Sequence, residues 1–375
     1  MARKLKTDKW LWMAMLLLVC TGVVMVYSAS AVVLENEEQS PYLYLFKQLT
    51  WALSGLLLVQ IVMRVDYRTY RQPVVIWAGL GLVLLALIVV LFGRPINGAT
   101  RWLNIGPLGI QPSELAKIVI IIFVAALLER SIDRIDDPQS LLPIAGGLGA
   151  VVVLVLLQPD LGTAAVIAMI AAVMIFAAGI SYRYVAGLGV MGLAALAVLV
   201  QEEYRWRRIT AFLDPWSDPR DTGYQVIQSM ISVAVGGIFG RGLGDGLQKL
   251  FYLPEPHNDF IYAVVSEELG MIGATVVLGC FCVIAWRGLR TAMRAPDRFG
   301  AFLALGLTTM VVFQAFFNIS VVLGLAPTKG IPLPLVSYGG SSLLINLIGM
   351  GILLNVSQHA STSHVVTTTL QTADA

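Results

Sequence analysis

The chain has 375 residues, of which 57% are hydrophobic and 13% are charged, and its mean hydropathy is +0.79. This composition excludes an ordinary soluble domain, in which about a quarter of the residues would be charged. A net charge of +2 gives no reason to expect a nucleic-acid partner, and three cysteines inside apolar runs indicate neither a disulfide framework nor a zinc site.

Runs of mostly apolar residues recur along the chain at the length that a membrane-spanning helix requires. The first run follows a basic N-terminus and resembles a signal peptide, but it is too long for one, so we predict an uncleaved helix. The predicted spans cover residues 10–33, 48–63, 74–92, 112–128, 141–157, 162–179, 184–200, 260–286, 301–324 and 337–356. We therefore predict an all-α polytopic membrane protein with about ten transmembrane helices in a single domain, residues 1–356.

Basic residues in short loops prefer the cytoplasmic side of a membrane. With ten helices, the basic N-terminus and the arginines that follow the second, fourth, sixth and eighth helices all fall on one side. Both termini are therefore predicted to be cytoplasmic, and the long polar loop between helices 7 and 8, about residues 201–259, to be extracytoplasmic. Residues 357–375, rich in serine and threonine, are predicted to form a disordered cytoplasmic tail.

Candidate site residues begin just before the fourth predicted helix. Arg101 precedes Trp102, and this pair can bind a phosphate and a sugar or simply mark the membrane interface. Glu114 and Lys117 are three residues apart near the start of the helix and therefore share a face. Because ionisable groups at membrane depth are costly, they form either an intrahelical ion pair or a charged wall of a substrate cavity.

Three further features carry polar groups. Asp160 lies in a short turn and either caps the sixth helix or contributes to substrate binding. The glycine-rich segment 236–246 lacks the Gly-Lys-Ser/Thr of a P-loop, so we predict a flexible turn whose N–H groups can face an anion. Arg205, Arg207 and Arg208 are either a solvated basic cluster or a binding site for anionic headgroups.

Polar residues gather where the long loop meets the eighth predicted helix. Glu255, His257 and Asp259 alternate, so an extended backbone would place all three on one side. Asp259 either caps the helix or, with its neighbours, acts as a general base or holds a divalent cation with a phosphate substrate. Glu267 and Glu268, further along the helix, need a polar partner or a cavity.

Another irregular segment precedes the last predicted helix. Lys329 is followed by prolines, which cannot continue a helix, and then by Ser337 and Ser341, which can cap the next one. Broken backbone near membrane depth is tolerated where it is buried in protein or lines a wet cavity. We therefore include Lys329, Ser337 and Ser341 among the candidate substrate-binding residues.

Several sequence blocks, taken together and in order, resemble the FtsW/RodA family, also called SEDS proteins (shape, elongation, division and sporulation). The resemblance covers residues from about 10 to 356. The blocks are NGATRW at 97–102, QPSELAK at 111–117, QPDLGT at 158–163, FLDPW at 212–216, GYQ at 223–225, PEPHNDF at 254–260 and PLPLVSYGGSS at 332–342. Residues 97–99, 248–255 and 327–330 are more similar to the FtsW division branch than to RodA, whereas Asn258 stands where the family commonly has threonine.

The resemblance implies a peptidoglycan glycosyltransferase that polymerises lipid II on the outer face of the bacterial cytoplasmic membrane at the division septum, with Asp259 as its catalytic residue. A carboxylate there can accept the proton of the attacking hydroxyl while undecaprenyl pyrophosphate leaves. Arg101, Lys117 and Lys329, or a bound divalent cation (Mg²⁺ or Mn²⁺), are the candidate sources of positive charge. The other candidate substrate-binding residues are Glu114, Asp160, His257, Ser337 and Ser341.

The partners that the resemblance implies are a class B penicillin-binding protein (an FtsI-like transpeptidase), other division proteins and membrane lipid. Three alternative functions remain open on the sequence: a lipid II flippase or transporter, a RodA-type elongation polymerase, and a scaffold for division proteins. A flippase would depend more on mid-membrane charges such as Glu114 and Lys117 than on Asp259.

Overall fold

The computed structural model describes residues 7–36, 38–93, 100–105, 108–187, 189–190, 192, 203–221, 223–247, 249, 253 and 256–373. The α-helices are α1 (Lys9–Asn36), α2 (Leu43–Val62), α3 (Pro73–Leu91), α4 (Pro112–Ser131), α5 (Pro138–Leu157), α6 (Leu161–Ala177), α7 (Glu203–Leu213), α8 (Tyr224–Gly236), α9 (Ile261–Arg294), α10 (Arg298–Val322) and α11 (Gly340–Ala373). Two short antiparallel strands, β1 (Leu103–Ile105) and β2 (Leu108–Ile110), form a hairpin directly before α4.

Seven helices in the described part of the chain are long and apolar enough to cross a membrane, namely α1, α2, α3, α5, α9, α10 and the first part of α11, Gly340–Ala360. Two further predicted spans correspond to α4, which carries four charged residues, and to α6, which is only 17 residues long. The predicted span 184–200 lies mostly outside the described residues, so the count of ten helices stays a prediction.

The helix ends differ from the predicted spans on the predicted cytoplasmic side. α9 continues to Arg294, beyond the predicted end at 286, and α11 continues past 356. The prediction that the chain is disordered from residue 357 is wrong for Ser357, Gln358 and Ala360, whose side chains are buried within the bundle. Their burial extends the packed domain past the predicted boundary at 356.

The centre of the bundle is formed by α10 and α11, which are mostly buried, whereas α2, α3 and α5 turn most of their residues outward. α10 packs against α4, α6, α9 and α11, and α11 packs against α2. Glycine permits a close approach of α11 to α2, since a Cβ built on Gly351 of α11 would lie 3.2 Å from Val59 Cα of α2. Small residues at helix contacts let backbones approach closely, as is typical of membrane bundles.

α9 is broken at Gly270, whose φ of 65° and ψ of −167° lie outside the helical region. The glycine-rich segment 236–246 packs against this break. Arg241 N donates to Glu267 O (3.0 Å) on one side of it, and Met271 N donates to Gly237 O (2.9 Å) on the other. These bonds satisfy backbone groups that the break would otherwise leave unpaired inside the membrane.

The two acids of α9 bind the end of this segment and the residue that follows it through their side chains. Leu247 N donates to Glu267 Oε1 (2.7 Å) and Gly244 N donates to Glu268 Oε2 (3.1 Å). Buried Lys249 forms an ion pair with Glu268 (2.6 Å) and donates a hydrogen bond to Ser28 of α1 (3.0 Å). The prediction of a flexible turn is therefore wrong: the segment is pinned to α9, and the anions that its N–H groups face are carboxylates of the protein itself.

Candidate active site

A cavity of about 1060 Å³ lies between the first turns of α2, α4, α6 and α11 and the chain just before α9. Five of the nine candidate site residues line it: Arg101, Glu114, Lys117, Asp160 and Asp259. The other four, His257, Lys329, Ser337 and Ser341, do not line it, although their chain neighbours Asn258, Gly330, Tyr338 and Ser342 do. Charged residues that are far apart in sequence thus converge on one chamber.

The backbone at Asp259 is held by a buried side chain of α10. Asn318 of α10 donates from Nδ2 both to Asp259 O (2.7 Å) and to Ile331 O (2.8 Å). The Asp259 carboxylate faces Gly330, since a Cβ built there would lie 3.1 Å from Asp259 Oδ2. The N-cap residue of α9 is Phe260, and no side chain caps the helix at that position. Phe260 therefore holds the N-cap position, and the capping role considered for Asp259 stays a prediction.

Ser337 and His257 hold the surrounding backbone. Ser337 Oγ donates to Asn258 O (2.6 Å) and accepts from Leu333 N (2.8 Å). Tyr338 N donates to His257 O (2.9 Å), and the His257 ring packs against Tyr44 and Tyr338 with centroid distances of 5.1 and 5.6 Å. Both candidates therefore fix the chain around Asp259 from behind the cavity wall.

Glu114 and Lys117 form a buried pair in the cavity wall, with Lys117 Nζ 2.7 Å from Glu114 Oε1. Lys117 also donates to Gln314 Oε1 of α10 (2.6 Å). Glu114 Oε2 is buried and accepts no hydrogen bond from any described residue. The predicted intrahelical ion pair is therefore confirmed and lies in the cavity wall, whereas the role of the pair toward a substrate stays a prediction.

Asp160 both caps α6 and lines the cavity. Its carboxylate caps α6 by accepting from Thr163 N (3.1 Å) and Thr163 Oγ1 (2.8 Å), and it accepts from Gln111 Nε2 (3.2 Å). Arg101 donates to the backbone of the turn before Asp160, from Nε to Gln158 O (3.2 Å) and from a terminal nitrogen to Pro159 O (2.5 Å). The guanidinium is thus held in place at the cavity wall with N–H groups in excess of those two bonds.

Lys329 and Ser341 lie next to the cavity rather than in its wall. Lys329 is half-exposed beside Gly330, and the buried Ser341 hydroxyl has no hydrogen-bond partner among the described residues.

Of the proposed headgroup cluster, Arg207 pairs with Asp221 (2.7 Å) and Arg208 donates to Thr328 O (3.2 Å). Glu255, residues 97–99 and the side chain of Arg205 lie outside what the structure describes.

The sequence analysis missed three polar residues of the site. Gln314 and Asn318 are one turn apart on α10 and reach Lys117 and the Asp259 backbone, respectively. Lys47 of α2 lines the cavity and lies over the Tyr44 ring, 5.7 Å from its centroid. Amides inside an otherwise apolar span were the available signal for the first two, since such groups need buried partners.

The family model described as "Cell cycle protein" (FTSW_RODA_SPOVE) matches residues 8–362. The chain belongs to this FtsW/RodA/SpoVE family. A relative from Geobacter sulfurreducens, the "Probable peptidoglycan glycosyltransferase FtsW", is 45% identical over 343 residues, which cover 91% of this chain and 92% of the relative. The "Stage V sporulation protein E" of Bacillus subtilis is 42% identical over 365 residues, covering 96% and 99% of the two chains.

Two solved structures share the fold. RodA of Thermus thermophilus, a rod shape determining protein, matches with a TM-score of 0.70 and 32% identity, covering 94% of this chain and 97% of that one. A chain from "Structural coordination of polymerization and crosslinking by a peptidoglycan synthase complex" matches with a TM-score of 0.77 and 33% identity, covering 95% and 99%. The resemblance found in the sequence is therefore confirmed, and the chain is an all-α, multi-pass protein of the inner membrane.

The division-branch prediction agrees with these comparisons, since the identity to the FtsW relative is 45% and that to RodA is 32%. The described residues contain no cluster of three or more His, Cys, Asp or Glu side chains that could hold a metal ion. A divalent cation therefore stays a prediction, and Asp259, Asp160 and Glu114 are the described acids that line the cavity.

Proposed function

We propose that this protein is a peptidoglycan glycosyltransferase that polymerises lipid II into glycan strands during septal cell-wall synthesis. The observation that carries the proposal is the cavity itself, in which Asp259 shares one chamber with Lys47, Arg101 and Lys117. A sugar hydroxyl needs a base and a pyrophosphate needs cations, and this chamber offers both. Family membership and the relatives named as peptidoglycan glycosyltransferases support the same reaction.

The reaction forms one glycosidic bond and breaks one bond to phosphate. The 4-hydroxyl of an acceptor GlcNAc attacks the anomeric carbon of the donor MurNAc, and its proton passes to the Asp259 carboxylate. Undecaprenyl pyrophosphate leaves with the electron pair of the broken bond, and Asp259 later returns the proton to solvent. A positioned base of this kind typically contributes about 10²- to 10⁴-fold to the rate.

The departing pyrophosphate needs no proton, because it leaves as a stabilised anion. Arg101 is suited to bind it, since its guanidinium is already oriented by two backbone carbonyls and retains further N–H donors. Lys47 brings a second cation from α2, while Lys117 is neutralised locally by Glu114. A divalent cation, if bound, would take much of its coordination from phosphate oxygens and water, as Mg²⁺ usually does.

A lipid-linked substrate must reach the cavity from the membrane. We propose that the cavity opens to the extracytoplasmic face, where lipid II headgroups reach it while their prenyl chains stay in the bilayer. Both termini are then cytoplasmic, as the distribution of basic loops indicates. This arrangement needs no nucleotide, because the energy of polymerisation is carried by the bond between the donor sugar and the pyrophosphate, which the reaction breaks.

The partner is proposed to be a class B penicillin-binding protein, an FtsI-like transpeptidase, together with other division proteins at the septum. The similar chain in the peptidoglycan synthase complex belongs to an assembly in which polymerization and crosslinking are coordinated. A glycan polymer must be crosslinked to bear load, so coupling the two enzymes places the second reaction where the first delivers its product.

The test is polymerisation of labelled lipid II by the purified protein, with and without the transpeptidase. Asp259→Asn keeps the size of the side chain and removes the base, so we expect a loss of about 10²- to 10⁴-fold in rate with normal folding. Asp133→Asn, at an exposed acid outside the cavity, is the matched control and should retain activity. Full activity of Asp259→Asn would refute the assignment, and lipid II movement without polymer in the unmodified protein would favour the flippase.

A further inference from the structure

A second cavity, of about 650 Å³, lies at the opposite end of the bundle from the candidate active site. It is formed by the start of α1, the last turns of α9 and the end of the packed part of α11. Ser357, in its wall, follows the first cavity's Gly340 by 17 residues of α11, or about 25 Å at 1.5 Å per residue. The two cavities therefore face opposite sides of the membrane.

The wall of this second cavity is strongly basic. Arg287, Arg290 and Arg294 are spaced three and four residues apart, so they project from one face of α9 toward the start of α1, where Lys9 also lines the cavity. Asp8 is the acid of the wall, and both its oxygens are engaged: Oδ2 accepts from Arg287 Nε (2.6 Å), and Oδ1 accepts from the first N–H groups of α1.

Three of the four cations in the wall are not neutralised by a described residue. Arg287 is paired with Asp8, whereas no salt bridge joins Lys9, Arg290 or Arg294 to any carboxylate in the described part of the chain. Attraction to the C-terminal end of α9 and the preference of basic loops for the cytoplasm would each place arginines here. Neither effect requires that the arginines line one face of a concave chamber, which is the arrangement a bound anion needs.

The surroundings of the cavity indicate which kind of anion. Trp10 lines the cavity and is 61% exposed, and Trp286 and Met293, the chain neighbours of Arg287 and Arg294 on α9, are 60% and 80% exposed. Exposed tryptophan at the end of a membrane helix lies at the level of the lipid headgroups, and the exposed methionine adds apolar surface next to it. An anion that enters this cavity from the bilayer would thus carry an apolar tail past an apolar wall.

We propose that this second cavity binds the phosphate of an anionic phospholipid from the cytoplasmic leaflet, with its acyl chains lying along Trp286 and Met293. Basic pockets between membrane helices on the cytoplasmic side are suited to such headgroups. The bound phosphate joins α1 to α9, and a ligand that binds only the folded state raises its stability. The proposal does not depend on the reaction in the first cavity, so either one can fail alone.

The experiment uses the purified full chain in detergent, titrated with dioleoyl phosphatidylglycerol or dioleoyl phosphatidylcholine and analysed by native mass spectrometry and thermal unfolding. The variant R290Q/R294Q removes two unpaired cations, and we expect it to bind phosphatidylglycerol about thirtyfold more weakly than the unmodified protein. R290K/R294K, which keeps both charges, should retain most of the binding. R64Q/R130Q is the matched control, because these arginines are exposed outside the cavity, and it should bind normally.

Inorganic phosphate in place of lipid separates the two sources of the anion. The proposal predicts that phosphate neither competes with phosphatidylglycerol nor raises the unfolding temperature at the same concentration. It would be overturned if R290Q/R294Q bound phosphatidylglycerol as the unmodified protein does, if phosphatidylcholine bound equally well, or if inorganic phosphate stabilised the protein as much as the lipid.

Discussion

Asn318→Leu tests whether Asp259 must be held from α10 for the proposed reaction. The Asn318 side chain is buried, and its amide bridges the carbonyls of Asp259 and Ile331 at 2.7 and 2.8 Å. Leucine is close in volume but donates nothing, so two carbonyls lose their partner. Each buried group left unsatisfied costs about 1–3 kcal/mol. Asp259 is half-exposed, so its carbonyl can recover part of this cost from water. We therefore expect the free energy of unfolding to fall by about 2–4 kcal/mol.

The catalytic effect should exceed the effect on stability. Without the amide bridge, the chain at Asp259 can shift relative to the segment around Gly330, which its carboxylate faces. A displacement of about 1 Å in a catalytic group can reduce the rate about a hundredfold. We therefore expect Asn318→Leu to fold, to unfold at a lower temperature and to polymerise lipid II about a hundredfold more slowly than the unmodified protein.

Asn355→Leu is the matched control. Asn355 is an equally buried amide of α11 that also makes two hydrogen bonds, donating to Met63 O (2.8 Å) and accepting from Tyr67 N (3.0 Å), at the opposite end of the bundle. Both variants should lose similar stability, but only Asn318→Leu should lose activity at a temperature where both are folded. Equal polymerisation rates for the two variants would refute the positioning argument.

Two further predictions concern buried charges outside the cavity. Lys249→Met leaves Glu268 buried without its cation and should cost about 3–5 kcal/mol, whereas Lys249→Met combined with Glu268→Gln should recover most of that loss in thermal unfolding. Burial alone would raise the pKa of Asp297, but hydrogen bonds, first among them that from Tyr67 (2.5 Å), hold the pKa below its usual value. This stabilisation is present above the unfolded pKa of about 3.9 and is lost as the pH falls through the folded pKa. Tyr67→Phe should therefore lower the free energy of unfolding by about 1.5–3 kcal/mol at neutral pH. It should also flatten the dependence of that free energy on pH below about pH 4.

The helices of this protein were predictable where apolar run and helix coincide. α3 occupies Pro73–Leu91 against a predicted 74–92, because lipid contact requires a continuous apolar segment of that length. α9 and α11 run past their predicted ends because hydropathy marks membrane depth, whereas a helix can continue into polar residues such as Arg290 and Ser357. The break at Gly270 could not be predicted, since a glycine within an apolar run usually continues the helix.

The site was predictable to the extent that charge stands out in an apolar chain. Glu114, Lys117 and Asp160 could be selected as candidates because ionisable groups in or near a membrane span are costly and usually functional. Gln314 and Asn318 did not, because uncharged amides change the hydropathy of a span only slightly, and their roles arise when α10 packs beside the chain around Asp259. That packing depends on the whole bundle, and no local pattern in the sequence specifies it.

The position of Asp259 also depends on how the break in α9 is bridged. From Ile261 to Glu268 the helix is buried throughout, and this short piece follows Asp259 directly. The glycine-rich segment bonds to the helix on both sides of Gly270, so it links the two pieces across the break. A catalytic group is most precise when the element that carries it is held by its own neighbours. The buried pair of Lys249 and Glu268 therefore does more than satisfy two charges, because Glu268 also accepts from Gly244 N of the linking segment and belongs to the buried piece of helix that follows Asp259.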